Sequence, residues 1–346
     1  MCINAVNLNK LAKTNCATEI AKVVTKPILQ TLATDTISFS ANAITKGFTK
    51  LSQEVSHRFP NKGYRVVSLP KGMEIVKDGF VVNKKVPTVA IVDVFSDFGN
   101  VKIGSRTKAH HGDIVTKYAV KGLEDKVGVL AFDATPSNSL ACEHKSIRDA
   151  LRDLARIQKE NGNITALNLS LGESYTYEEL NREFGLNLSP ENIQDQKNVL
   201  LNHLSASKDA KHEYIFDSIQ SINSLVDNGV KVYSSSGNTG DTCLNLFSLS
   251  KAQNIVSADD YSKADKALST TYSTNGIHKF TSYYDEKGNL IKTTDGVINF
   301  KPDEVATKRK LFSRQASQDA FKIMGTSYST PNKLNKDLVY YFGAFK

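Results

Sequence analysis

Residues 89–93 read Val89-Ala90-Ile91-Val92-Asp93, four apolar residues followed by one carboxylate. A short apolar run without polar alternation is typical of a strand buried on both faces, as in a parallel sheet. Similar runs at 127–132, 164–171 and 229–234 alternate with helical spacing of apolar residues at 143–160 and 215–228. Strands that alternate with helices predict an α/β fold, with a mainly parallel central sheet flanked by helices on both faces.

The composition restricts the class of protein. The chain has 346 residues, 40% hydrophobic and 23% charged, as expected for one large or two ordinary globular domains. No apolar run approaches the roughly 20 residues that a membrane span needs, and lysines interrupt any secretory signal within the first 30 residues. The four cysteines are widely spaced and form no C-x-x-C pair, so free thiols in a reducing compartment are the simplest interpretation. This favours the cytoplasm, although the sequence leaves the location open.

The net charge of +8 lies entirely in the first part of the chain. Residues 1–92 contain 13 Lys/Arg and 5 Asp/Glu, which gives +8, and the remainder contains 31 of each. A basic leader could contact nucleic acid or anionic lipid. The pattern lacks the dense basic run and interleaved aromatic residues of nucleic-acid binding, so a solvated arm is favoured and no nucleic-acid partner is expected.

The character of the sequence changes at Pro87. We predict an N-terminal extension or pro-segment over 1–85, with a short helix near 45–58, a strand over 64–69 and a hairpin around Asp78-Gly79. Residues 86–346 are predicted to form the main domain. A polar stretch at 173–210 is predicted to be a helical insertion. Within it, a helix is expected to start at Ser189-Pro190-Glu191.

Four short stretches place reactive side chains where such a sheet would bring them together. Asp93 ends an apolar strand, and sites in parallel α/β sheets gather at the carboxyl ends of strands. His111, followed by Gly112, is the residue type that most often acts as a general base near neutral pH. Asn238 ends a turn where its amide could donate to an oxyanion, and Ser327 is a candidate nucleophile. Taken alone, each signal is weak: Asp93 is more often a helix-cap or turn residue, and His111 is more often a surface histidine than a catalyst.

In chain order, these stretches resemble those of the subtilisin-like serine peptidases (subtilases) over about residues 86–334. The family has an apolar strand ending in Asp, a His-Gly, a Ser-Leu-Gly strand, a Gly-Asn, and a Gly-Thr-Ser followed by Pro. The resemblance implies a subtilisin-like fold for residues 86–346. The matching stretches are Val89-Ala90-Ile91-Val92-Asp93, His111-Gly112, Asn168-Leu169-Ser170-Leu171-Gly172, Ser236-Gly237-Asn238 and Gly325-Thr326-Ser327-Tyr328-Ser329-Thr330-Pro331.

The resemblance also implies a role for each matched residue. Ser327 would attack the scissile carbonyl, His111 would take its proton, and Asp93 would orient the imidazole. The Asn238 amide and the Ser327 backbone N–H would bind the oxyanion. The stretch Ser170-Leu171-Gly172 would bind the substrate backbone as an added strand. Polypeptides are the expected substrates.

Three stretches depart from the family pattern. After His111-Gly112 the chain has Asp113-Ile114-Val115-Thr116-Lys117, where the family usually has Thr-His-Val-Ala-Gly. Asp93 is followed by the bulky pair Val94-Phe95, where the family has small residues. The helix after Ser327 is polar over 332–337, and burial of Lys333 without a partner would be costly, so we expect either partial exposure or a reduced C-terminal lobe. No cofactor or metal is assigned. Calcium is implied by the resemblance, but no Asp/Asn/Glu run has ligand spacing.

Three functions remain open at this point. The first is a serine endopeptidase, which the full set Asp93, His111, Asn238 and Ser327 favours. The second is an inactive subtilase-fold module that binds peptides or proteins, suggested by the polar helix and the altered neighbours of Asp93 and His111. The third is nucleic-acid or membrane-surface binding by the basic leader. The oligomeric state is not indicated.

Overall fold

The computed structural model of the chain has a β-sheet at its centre. The structure describes residues 49–77, 79–82, 85–95, 100–103, 107–135, 143–236, 243–252, 254–256, 279–284, 290–296 and 326–343. Its strands are β1 (Ser52–Arg58), β2 (Arg65–Pro70), β3 (Met73–Val76), β4 (Gly79–Val82), β5 (Thr88–Asp93), β6 (Asn100–Ile103), β7 (Thr107–His110), β8 (Gly128–Asp133), β9 (Ile164–Leu169), β10 (Ser174–Thr176), β11 (Lys231–Ser235), β12 (Cys243–Asn245), β13 (Asn254–Val256), β14 (Lys279–Tyr284) and β15 (Leu290–Gly296).

Helices connect many of these strands. The helices are α1 (His111–Ala119), α2 (Glu143–Asn161), α3 (Tyr177–Phe184), α4 (Ile193–Ala206), α5 (Ala210–Asp227) and α6 (Thr326–Gly343), with a short 3-10 helix at Leu246–Leu249. Among the described helices, none is both long and apolar enough to cross a membrane.

A seven-stranded sheet runs in the order β1-β2-β8-β5-β9-β11-β13. From β8 to β13 all neighbouring strands are parallel, while β1 and β2 add to the β8 side as antiparallel strands. The predicted α/β fold with a mainly parallel central sheet is therefore confirmed. β5 lies at the middle of the sheet, and all six of its residues are buried.

The two faces of the sheet pack against different helices. Along β5, Ala90 and Val92 belong to a core that includes residues of α2 and α5, whereas Val89 and Ile91 belong to a second core with α1 and α6. Successive strand side chains point to opposite faces, so a strand covered on both faces must be apolar throughout. The prediction of helices on both faces is confirmed.

The polar helix after Ser327 packs by one narrow apolar stripe and one ion pair. Leu334 and Leu338 are fully buried in the core shared with α1. Lys333 is only 6% exposed, but its Nζ lies 3.0 Å from Asp337 Oδ1, and the Tyr233 hydroxyl donates to Asp337 Oδ2 at 2.8 Å. Tyr341, farther along the helix, is exposed. The helix is thus partly exposed, and its buried lysine is paired.

The N-terminal part of the described chain belongs to the sheet. The helix predicted near 45–58 is wrong where the structure describes it, because Ser52–Arg58 forms β1 and pairs with β2. Cross-strand hydrogen bonds outweigh a helical spacing that rested on only three apolar residues. The strand predicted over 64–69 is β2, and the predicted hairpin is β3 paired with β4. The division at residue 85 remains a prediction.

The polar stretch at 173–210 contains β10, α3 and α4. The helix predicted to start at Ser189 begins instead at Ile193. Residues 189–192 form a turn, in which Ser189 N–H donates to Asn192 Oδ1 at 2.8 Å and Asn192 N–H donates to the Ser189 carbonyl. The asparagine side chain thus stabilises the turn before the helix.

The packing of α6 gives a test of its contribution to stability. We expect Leu338→Ala to lower the free energy of unfolding by about 2–5 kcal/mol, because it leaves a cavity between α6 and α1. The matched control is Val339→Ala on the exposed side of the same helix, expected to change it by less than about 0.5 kcal/mol. Urea unfolding of both variants measures the difference. Equal losses would mean that α6 does not pack as described.

Candidate active site

Several predicted site residues lie where neighbouring parallel strands end. Asp133 is the last residue of β8 and Asp93 the last of β5, and these two residues are paired in register. Ser170 follows the end of β9, and Ser236 follows the end of β11. We call this side of the sheet the carboxyl edge. Such edges collect functional groups in open α/β sheets.

Asp93 and His111 are in direct contact. His111 Nδ1 lies 2.6 Å from Asp93 Oδ1, with Asp93 fully buried and His111 only 7% exposed. A carboxylate accepts hydrogen bonds and a ring N–H donates, so the proton in this contact lies on Nδ1 and a lone pair remains on Nε2 of the neutral ring. Val94 N–H also donates to Asp93 Oδ1, at 2.7 Å. The pair has the geometry of a base and its orienting carboxylate.

The bulky pair after Asp93 fixes the start of α1. Gly112 N–H donates to the Val94 carbonyl at 2.9 Å. The ring of Phe95 lies so close to Gly112 that a Cβ there would be 2.6 Å from a ring carbon. Glycine is therefore required at position 112, and the backbone contact holds His111 beside Asp93. His110, the neighbouring histidine, contacts Asp113 instead, with Nδ1 3.1 Å from Oδ2.

The sequence interpretation missed a charged clamp beside Asp93. Arg65 Nη2 on β2 donates to Asp133 Oδ2 at 2.9 Å and to the Phe95 carbonyl at 3.1 Å. Asp133 Oδ1 accepts from Phe95 N–H at 3.1 Å and from Thr135 N–H at 3.2 Å. The clamp fixes the loop that follows Asp93. Its sequence signal was a second apolar run ending in Asp, at 127–133, next to a strand containing one arginine.

Ser327 is the second residue of α6 and is buried. Its Oγ donates to the Ser170 carbonyl at 2.9 Å, and Ser170 Oγ donates back to the Ser327 carbonyl at 2.7 Å. Pro331 lacks the N–H that would otherwise donate to that carbonyl within the helix. The Ser170 hydroxyl takes over this role, and Asn168 Nδ2 donates to it at 2.9 Å. Ser327 and the predicted substrate-binding residue Ser170 are thus joined.

The helices that begin at His111 and near Ser327 lie side by side. Asn335 Nδ2 on α6 donates to the Ala119 carbonyl at 3.1 Å and to the Lys121 carbonyl at 2.8 Å, at the far end of α1. His111 contacts Asp93, the last residue of β5, and Ser327 contacts Ser170, which follows the neighbouring parallel strand β9. His111 and Ser327 therefore both lie at the carboxyl edge.

Of the other predicted site residues, two lie within the described part of the chain and one lies outside it. Leu171 is buried in the core that includes α2 and α5. Gly172 lies against the Asn245 side chain. A Cβ atom at position 172 would be only 2.6 Å from Asn245 Nδ2. Asn238, the predicted oxyanion donor, and Gly325 lie outside the described residues. The described residues stop at Ser236, two residues before Asn238, and resume at Cys243, while Gly325 directly precedes the described segment that begins at Thr326.

A cluster of titratable groups surrounds the start of α2. Burial and then the charge of Glu173 raise the pKa of Glu143 from 4.5 to about 7, and Asp93 makes a smaller contribution of the same sign. His144 Nδ1 lies 2.6 Å from Glu173 Oε1. Burial by itself lowers the pKa of His144, but the Glu173 carboxylate raises it overall. Glu143 can therefore exchange a proton near neutral pH close to Asp93.

Metal-ligating atoms converge at another place. Within the part of the chain that the structure describes, Glu183, Asp209 and His212 each supply one donor atom, and these atoms all lie within 4.8 Å of one another. These residues belong to α3, to the loop before α5 and to α5, and they include none of the predicted site residues.

Comparison with known proteins gives one structural likeness. No protein-family model matches the chain, and no curated protein matches it. Among solved structures, it is similar to that of the prenylagaramide maturation protease PagA. The identity is 16% and the TM-score 0.36, covering 75% of this chain and 78% of PagA.

The clamp on the loop after Asp93 can be tested through stability. Arg65→Met would leave Asp133 as a buried carboxylate without its cation, and we expect a loss of about 3 kcal/mol in the free energy of unfolding. Arg58→Met, an exposed arginine on the neighbouring strand, is the control and should cost less than about 0.5 kcal/mol. Urea unfolding measures both variants. Similar values for the two would rule out a stabilising role for the Arg65–Asp133 pair.

The raised pKa of Glu143 predicts that the free energy of unfolding depends on pH. The folded protein keeps a proton on Glu143 that the unfolded chain releases above about 4.5, so Glu143 lowers stability as the pH rises from about 4.5 to about 7. Glu143→Gln stays neutral throughout. Relative to wild type, this variant should therefore gain up to roughly 3 kcal/mol between pH 4.5 and 8.

Urea unfolding of wild type and Glu143→Gln at several pH values checks this. Glu160→Gln, at the exposed end of the same helix, is the control and should follow the wild-type pH profile. A constant difference between Glu143→Gln and wild type over this window would contradict the raised pKa.

Proposed function

We propose that this chain is a subtilisin-like serine endopeptidase that hydrolyses peptide bonds in polypeptides. In this proposal Ser327 is the nucleophile, His111 the general base and Asp93 the group that orients it. The Asn238 amide and the Ser327 backbone N–H stabilise the oxyanion. Residues 170–172 bind the substrate backbone as an added strand.

The buried 2.6 Å contact between His111 Nδ1 and Asp93 Oδ1 supports this proposal most strongly. A histidine oriented by a carboxylate through one nitrogen presents the other nitrogen to a nucleophile. A structural ion pair could have the same geometry. The catalytic interpretation is further supported by the contacts of His111 with Asp93 and of Ser327 with Ser170, which both lie at the carboxyl edge.

The hydrogen bond of the Ser327 hydroxyl suggests how substrate starts the reaction. Ser327 Oγ donates to the Ser170 carbonyl. A peptide strand that adds along residues 170–172 would bring backbone N–H groups that compete for this carbonyl. Ser327 Oγ would then turn toward His111 Nε2, which accepts its proton as Oγ attacks the scissile carbonyl. His111 later returns the proton to the leaving amine.

The start of α6 favours the charge that develops in this reaction. The first backbone N–H groups of a helix have no partners within the helix and carry a partial positive charge. Ser327 N–H is one of these groups, since α6 begins at Thr326. The carboxylate of Asp93 stabilises the imidazolium that forms on His111. Asn238 would supply the second oxyanion donor, a contribution on the order of 10²–10³ in kcat.

The N-terminal segment bears on the domain limits. We propose residues 86–346 as the peptidase domain, with the helical insertion at 173–210. β1 and β2 precede residue 86, yet they cover the edge of β8, and Arg65 on β2 neutralises Asp133. Removing them would expose a sheet edge and leave a buried charge unpaired. We therefore propose that any cleavage of the leader occurs before β1, which begins at Ser52.

Active-site labelling tests the proposed function. A fluorophosphonate probe should modify Ser327 in the wild-type protein, identified by mass spectrometry of the labelled peptide. Ser327→Ala or His111→Ala should abolish labelling and lower peptide hydrolysis by at least about 10⁴-fold. His110→Gln is the matched control, because this neighbouring histidine contacts Asp113 rather than Asp93. That variant should keep its labelling.

The contrary result would indicate a binding module. A folded wild-type protein that is never labelled and cleaves no unfolded polypeptide would exclude the peptidase. Peptide binding that is unchanged in Ser327→Ala would then support the inactive module. Circular dichroism of each variant separates loss of function from loss of fold.

A further inference from the structure

A buried histidine and two carboxylates converge beside the helical insertion. Glu183 comes from the last turn of α3, Asp209 is the N-cap of α5, and His212 lies in the first turn of α5. One donor atom of each lies within 4.8 Å of the other two. His212 Nε2 is 3.2 Å from Glu183 Oε1. Three donors from two helices therefore face one small volume.

The histidine is fixed in the orientation that a ligand needs. His212 is 3% exposed, and its Nδ1 lies 2.8 Å from Ser207 Oγ. Its ring packs against Phe184 with the centroids 5.1 Å apart. Ser207 Oγ also accepts from Asp209 N–H at 3.2 Å. Metal-binding histidines have this pattern, in which one nitrogen is held by a neighbouring oxygen and the other is presented to the ion.

A buried hydroxyl near the same carboxylates lacks a partner. Tyr175 is 5% exposed, and its hydroxyl has no hydrogen-bond partner among the residues that the structure describes. Burial and then the charges of Glu173, Glu183 and Asp209 raise the pKa of this phenol. A buried donor left unsatisfied costs about 1–3 kcal/mol. A water molecule on a bound ion would donate to this hydroxyl oxygen. The ion itself would compensate the clustered negative charge.

We propose that Glu183, Asp209 and His212 bind one divalent first-row transition-metal ion, such as Zn²⁺. An imidazole with two carboxylates suits these ions, whereas calcium prefers six to eight oxygen ligands. Glu183 and Asp209 are exposed, so water completes the coordination. The ion would join α3, within the segment 173–210, to α5. The role is structural and does not depend on the proposed peptidase activity.

Zinc titration of the full chain tests this site. The protein is stripped with a chelator, exchanged into metal-free buffer and titrated with Zn²⁺ by isothermal titration calorimetry. We expect one ion to be lost, or bound at least about 10-fold more weakly, in Glu183→Gln. Glu178→Gln, an exposed glutamate on the same helix, is the control and should bind like wild type. Excess Ca²⁺ should not displace the ion.

Further variants keep the result from depending on the folding of a single variant. A second metal ion, Co²⁺, shows whether cysteine thiols bind instead. His212→Gln should also lose the ion, while Asp209→Asn keeps the helix cap and removes only the charge. If His212→Gln fails to fold, the exposed Glu183→Gln still reports on the site. Co²⁺ spectra distinguish nitrogen and oxygen ligands from cysteine thiolates. Absence of Zn²⁺ binding, full affinity in Glu183→Gln, or displacement by Ca²⁺ would overturn the proposal.

Discussion

The buried contact between Asp93 and His111 sets the requirements that the surrounding structure meets. A carboxylate that is fully buried needs hydrogen bonds to compensate its lost hydration. Val94 N–H and His111 supply them to Oδ1. The loop that provides Val94 is held in turn by Arg65 and Asp133. The loop that follows Asp93 therefore depends on a cation from β2, the antiparallel strand on the other side of β8.

Hydrogen bonds and an ion pair likewise explain how the polar helix α6 packs in the fold. Leu334 and Leu338 are its apolar residues in the core shared with α1, and the Asn335 amide and the Lys333–Asp337 ion pair supply further contacts. Lys333 is tolerated because Asp337 lies one turn later and also accepts from Tyr233 of β11. These directional contacts fix α6 against α1 and the sheet, and so fix where its first turn lies.

The parts of the fold that could be predicted from the sequence are the elements that local residue patterns determine. Runs such as 89–93 and 127–132 indicate strands because they are apolar throughout, and their ends locate the carboxyl edge. His111 could be singled out for the same reason, as a histidine before a glycine at that edge. Arg65 and Glu143 were not identified. The apolar run that ends in Asp133 indicates an acid at the carboxyl edge, but only the fold shows which distant charged residues lie beside Asp133 and Glu143. The helix expected near 45–58 failed because Phe48, Leu51 and Val55 are too few to separate a helix from an edge strand.

The carbonyl of Ser170 links the substrate-binding edge to the nucleophile in the proposed mechanism. It accepts from Ser327 Oγ, and it belongs to the stretch expected to pair with a peptide strand. A carbonyl has two lone pairs, but a strand N–H and a buried hydroxyl approaching from the helix compete for the same small space. Pro331 strengthens this coupling, because it makes the Ser327 carbonyl depend on the Ser170 hydroxyl. Binding of a peptide along residues 170–172 and reorientation of Ser327 would then be one event, so that the serine is directed to His111 only when there is a bond to cleave.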